Sequence, residues 1–129
     1  MKTTIALALA LFSVPLTFAQ ISEIPDISSQ GLKGVVASGQ ATLLDISGPA
    51  SFQAGHIPGA IDFVTNKDSL DAHLPPDPNS LIIIYCHREA CPDYTSAAAA
   101  VMDLGYTNVK FYEPGLTGWI KAGGAVEKQ

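Results

Sequence analysis

The sequence predicts an α/β domain with a mostly parallel sheet of about five strands and helices on both faces. Two observations carry this. Short runs such as Leu81-Ile82-Ile83-Ile84-Tyr85 are almost continuously apolar, as strands covered on both sides must be, rather than alternating as a half-solvated strand would. Between those runs lie stretches of helical character, which is what parallel strands need to cross from one end of a sheet back to the other. The composition agrees: 47% hydrophobic and 15% charged residues suit a packed core and exclude a chain kept open by charge.

Taken in order, the first segment reads as an export signal over residues 1–19. It has basic Lys2, an apolar run from Ile5 to Leu16, and small Ala19 at the expected cleavage point, with Thr17 two positions earlier. The apolar run is shorter than the ~20 residues of a membrane-spanning helix. Residues 20–129 then form one domain in an oxidising space, periplasmic or secreted, with no membrane attachment after cleavage. Ile21 to Ile24 is a candidate edge strand. Ser28 can cap a helix from about Ser29 to Ala37, with Leu32, Val35 and Val36 on one face and Gly39 ending it. Thr42 to Ile46 is a strand stopped by Ser47-Gly48-Pro49, and Ala60 to Phe63 a weaker one. Asp68 to Leu74 reads as helix, Leu81 to Tyr85 as the strongest strand, and the alanine-rich Asp93 to Leu104 as helix. Val109 to Tyr112 is a further strand, and Leu116 to Ala122 a last helix before Gly123-Gly124.

Charge and cysteine count narrow the function. A net charge of −5, more negative once Lys2 leaves, disfavours nucleic acid and anionic lipid as partners. Two cysteines cannot build a disulfide-dense miniprotein or a four-cysteine zinc site. His87 beside Cys86, together with Cys91, lacks a structural-zinc spacing, so no metal and no cofactor is expected. Asp45, Asp62 and Asp68 read as strand-end or capping residues, and His56 as a hydrogen-bonding turn residue. Trp119, Phe111 and Tyr112 read as packing.

The chemistry concentrates at Cys86, which follows the strongest strand and precedes a short loop, His87-Arg88-Glu89-Ala90-Cys91, and a helix start at Pro92. Loop amides and the helix N-terminus can converge on one point there, which stabilises a thiolate and lowers the pKa of its thiol. Arg88 can add to that field or hold an anionic substrate, and Glu89 is expected to point outward, away from the thiolate. Cys86 is thus the candidate nucleophile and residues 87–91 its binding cradle. A disulfide between Cys86 and Cys91 closes so small a loop that chain entropy credits it with only roughly 2 kcal/mol, so a labile or functional pair fits better than a staple.

Three blocks resemble the rhodanese family across nearly all of residues 20–129. Leu43-Leu44-Asp45-Ile46 followed by Phe52-Gln53-Ala54-Gly55-His56-Ile57-Pro58-Gly59-Ala60 is similar to the family's first signature. Ile83-Ile84-Tyr85-Cys86 and its loop are similar to the active-site block. Leu104-Gly105-Tyr106-Thr107-Asn108-Val109, with Gly115, Trp119, Ala122 and Gly123, is similar to the closing strand and helix. The resemblance implies a five-stranded parallel α/β sheet and places Cys86 at the nucleophile. It also implies a reaction in which the Cys86 thiolate takes the outer sulfur of a donor such as thiosulfate and hands it on to a thiol or cyanide-like acceptor, or to a periplasmic partner protein. The sequence departs from the family where Ser47 replaces a common Arg, in the composition of residues 87–91, and at Glu113-Pro114-Gly115, where paired glycines are usual. A related phosphatase chemistry needs an Arg near the end of the loop, where this chain has Cys91 and Pro92. Two alternatives stand beside the sulfurtransferase: a redox protein cycling Cys86 and Cys91 between dithiol and disulfide, and a non-catalytic binding module using the same cradle.

Overall fold

The structure, a computed structural model, describes residues 24–88, 91 and 94–129. The expected export signal over 1–19, most of the candidate strand at Ile21 to Ile24, and Glu89, Ala90, Pro92 and Asp93 lie outside the described residues.

Helix α1 (Ser29–Ser38) starts and stops on its own residues. The Ser28 side chain accepts from the Gly31 amide, and Gly39, at φ 67°, closes the helix by donating to the Val35 and Val36 carbonyls. Strand β1 (Ala41–Asp45) follows. The chain then forms helix α2 (Pro49–Ala54), where the sequence predicts only a turn; Pro49 occupies its first turn and Phe52 is its one buried residue. The strand predicted over 60–63 is extended only at β2 (Ile61–Asp62). Asp62 ends it by capping helix α3 (Phe63–Asn66), accepting from the Thr65 amide at 3.3 Å and the Thr65 hydroxyl at 2.6 Å. A 3₁₀ segment, Lys67–Ala72, stands where an α-helix is predicted over 68–74, broken by the non-helical backbone of Ser69. Strand β3 (Leu81–Tyr85), helix α4 (Tyr94–Asp103), strand β4 (Val109–Tyr112) and helix α5 (Gly115–Lys121) fall where the sequence places them, to within a residue or so.

The four strands are parallel, in the order β2-β1-β3-β4. A short pairing extends the β4 edge: Ile27 donates to the Phe111 carbonyl and Phe111 to the Pro25 carbonyl, both at 3.0 Å. Pro25 is tolerated because only its carbonyl is required.

Strand alternation divides the core in two. On one face Leu44, Ile46, Ile82, Ile84 and Cys86 pack against Leu70, Leu74 and the Ala97, Ala98 and Val101 side of α4. On the other, Leu43, Ile83, Tyr85 and Tyr112 pack against Leu32 of α1 and Leu116 and Trp119 of α5. Ile82 and Ile83 are wholly inaccessible, and each such side chain contributes on the order of 2 kcal/mol, which makes β3 the best-anchored element of the fold. Its carboxyl end is where Cys86 sits.

Candidate active site

Because β3 alternates, Cys86 follows Ile84 onto the α4 side of the sheet, where only 5% of it is exposed. The backbone after it is held from the opposite side. The Leu116 amide donates to the Cys86 carbonyl at 2.9 Å, and the Thr117 amide and hydroxyl both donate to the His87 carbonyl at 3.0 Å. With these carbonyls drawn toward α5, the His87 and Arg88 amides have no backbone acceptor among the described residues.

Gly115 permits this approach. Its φ is +65°, and a Cβ there would lie 2.6 Å from the Cys86 carbonyl oxygen and 3.0 Å from the Arg88 nitrogen. The Glu113-Pro114-Gly115 departure therefore keeps a glycine where the start of the helix packs against the backbone of the cysteine loop.

Of the predicted site residues, Cys86 and Cys91 are joined in a disulfide with their Cα atoms 6.1 Å apart. Cys91 is half-buried and packs on the α4 side of the core. His87 and Arg88 are exposed on the rim, and Glu89 and Ala90 lie outside the described residues. Arg88 shares an open pocket of about 380 Å³ with Pro114, Thr117, Gly118 and Lys121, so two cations meet beside the loop. A second pocket, about 500 Å³, opens at the ends of β1 and β2, lined by Ile46, Phe63, Val64, Lys67, Asp68, Ser96 and Ala100. Sequence reasoning missed Thr117 and Lys121. Their signal was position: both lie on the helix that follows the carboxyl end of β4, next to the end of β3.

A polar arrangement on the reverse face braces the same strand end. The Ile57 amide donates to the Tyr85 hydroxyl at 3.0 Å, tying the Gly-His-Ile-Pro-Gly turn to the residue before Cys86. Burial, and next the charge of Asp45, hold the Tyr85 phenol far above its ordinary range, so it stays neutral. Asp45 is fully buried. Its Oδ1 accepts from both the amide and the hydroxyl of Ser47, which stands in for the expected Arg, while Oδ2 has no donor among the described residues. His56 belongs to the scaffold, as the sequence suggests. Its Nδ1 donates to the Phe52 carbonyl at 2.7 Å, its ring stacks on Phe52 at 3.8 Å, and its backbone pairs with Glu127. Asp62 caps α3, Trp119 and Tyr112 are buried, and half-buried Phe111 stacks on Tyr94.

The sequence profile of the rhodanese-like domain matches residues 28–122. Among solved structures, a protein from Bacillus halodurans is 26% identical with a TM-score of 0.63, the match covering 81% of this chain and 77% of that one. A human single-domain sulfurtransferase is 24% identical with a TM-score of 0.60, over 75% of this chain and 96% of its own. A thiosulfate sulfurtransferase from Pseudomonas aeruginosa is 23% identical with a TM-score of 0.64; the match covers 83% of this chain and 21% of that longer protein.

Proposed function

The chain belongs to the rhodanese-like domain family, and from that premise we propose that it is an exported single-domain sulfurtransferase or persulfide carrier whose nucleophile is Cys86. The reduced Cys86 thiolate attacks the outer sulfur of a small anionic donor such as thiosulfate. The sulfur–sulfur bond of the donor breaks, sulfite leaves with the bonding pair, and the sulfur stays on Cys86 as a persulfide. Free amides of the loop stabilise the thiolate before the attack and the persulfide after it. Arg88 and Lys121 give the approaching anion a positive rim on an otherwise acidic protein. A small thiol, a cyanide-like anion or a thiol of a periplasmic partner then removes the sulfur.

The observation that carries this reading is the loop after β3, with its carbonyls bound to α5 and the cysteine sulfur on the other side. The test is mass analysis of the reduced protein after thiosulfate. One added sulfur on Cys86 when Cys91 is replaced by Ala, absent when Cys86 is also Ser, supports transfer, and neither adduct nor sulfite or sulfide release with any sulfane donor defeats it.

The Cys86–Cys91 bond favours a second reading, a thiol–disulfide redox protein. The two readings separate at Cys91→Ala. Redox cycling requires both cysteines and is abolished, whereas sulfur found on Cys86 in that variant decides for transfer.

A further inference from the structure

Building on the sulfurtransferase reading, we infer that Cys91 resolves the Cys86 persulfide, releasing hydrosulfide and leaving the Cys86–Cys91 disulfide, so that the domain reduces sulfane sulfur with its own two thiols. The disulfide is the geometric ground: it places the Cys91 Sγ in bonding reach of the Cys86 Sγ, with the two Cα atoms 6.1 Å apart. In the persulfide state the Cys86 Sγ is the inner of two sulfurs, and the same approach brings Cys91 onto it.

The step balances. The Cys91 thiol gives up its proton, and its sulfur forms a bond to the Cys86 Sγ. The bond from that Sγ to the outer sulfur breaks, and the outer sulfur leaves with the electron pair and the proton as hydrosulfide. Two thiols are oxidised to one disulfide, and one sulfane sulfur is reduced to sulfide. From thiosulfate, one turnover of the dithiol protein yields one sulfite, one hydrosulfide and one disulfide. Further turnovers need a dithiol reductant to reopen the bond.

Burial sets the competition. In the disulfide form Cys86 is 5% exposed and Cys91 is half-buried in the same cluster of packed side chains, so Cys91 is held beside Cys86 whereas an acceptor from solution must diffuse in. A nucleophile held in place has a large advantage over one that must diffuse in. In the absence of an added thiol, release of hydrosulfide from wild type should exceed that from Cys91→Ser by at least about 100-fold.

The experiment is a single turnover. Reduced protein, freed of reductant and kept from oxygen, receives one equivalent of thiosulfate; sulfite and hydrosulfide are counted and the cysteine peptides mapped by mass. The inference expects equal sulfite and hydrosulfide from wild type, together with the Cys86–Cys91 disulfide, and expects Cys91→Ser protein to hold as persulfide whatever sulfur it takes up. It is overturned if wild type keeps a persulfide beside a free Cys91 thiol, if the extra sulfur migrates to Cys91, or if Cys91→Ser releases hydrosulfide at the wild-type rate. The first of these is read on wild type alone, so the test survives a poorly folded variant. Sulfite and persulfide without hydrosulfide leave the transferase reading standing; no sulfite from either protein overturns this inference, and the transferase reading falls with it when polysulfide, a second sulfane donor, loads no sulfur either.

Discussion

Gly115 shows how one residue links scaffold to chemistry. A methyl group there meets the Cys86 carbonyl at 2.6 Å and forces a side chain into a left-handed backbone, which costs about 1–2 kcal/mol before any clash is counted. Gly115→Ala should lower stability by at least that amount in denaturant titration and slow sulfite release from the reduced protein. Gly34, exposed on α1 with open space around it, is the control: Gly34→Ala should raise stability by about 0.4–1 kcal/mol and leave sulfite release alone. Ser47 carries a second prediction. It supplies both donors to Asp45 Oδ1 while Oδ2 has none among the described residues, so Ser47→Ala, which removes the hydroxyl, should cost about 1–3 kcal/mol. The place of Cys86 was legible in the sequence because a cysteine between a continuous apolar strand and a loop is a local pattern. The demand for glycine at 115 was not, since it arises from contact with a loop far away in the chain.

At the scale of elements, legibility followed length and burial. β3 and β4 were found at their exact bounds because Leu81 to Tyr85 and Val109 to Tyr112 are apolar runs punctuated at both ends. α1 was found because Ser28 and Gly39 announce it locally. The stretch from Pro49 to Ala72 was read less well. Its pieces are short, each with at most one wholly buried residue to give it a period, and side-chain caps decide where they turn. Asp62 is the clearest case, ending β2 and starting α3 through two hydrogen bonds to Thr65. Asp62→Ala should therefore cost about 0.5–2 kcal/mol in a thermal or denaturant unfolding curve. Asp62 stands two strands from Tyr85 in the sheet and makes none of the hydrogen bonds that hold the cysteine loop, so sulfur loading of the folded fraction should persist.

For the molecule as a whole, the sheet order puts the cysteine loop in the centre of the carboxyl edge and braces it from behind with Tyr85 and α5. Tyr85 makes that bracing sensitive to alkali. In the unfolded chain the phenol titrates near 10.0, and in the fold burial and Asp45 hold it much higher. Above about pH 10 the unfolded chain sheds a proton that the folded chain keeps, so stability is full below that pH and falls above it, by up to about 1.4 kcal/mol per pH unit. Denaturant curves taken on either side of pH 10 should show this decline, and Tyr85→Phe should flatten it while lowering stability at neutral pH through the lost Ile57 bond.

The central claim is that a free Cys86 thiolate is the sulfur-accepting atom and that its bond to Cys91 masks it. Rapid mixing with excess thiosulfate, following sulfite, tests this directly. The account predicts a burst of one sulfite per chain from reduced protein and none from protein held in the disulfide form. Bursts of equal size from both forms, or a burst from Cys86→Ser, would contradict it.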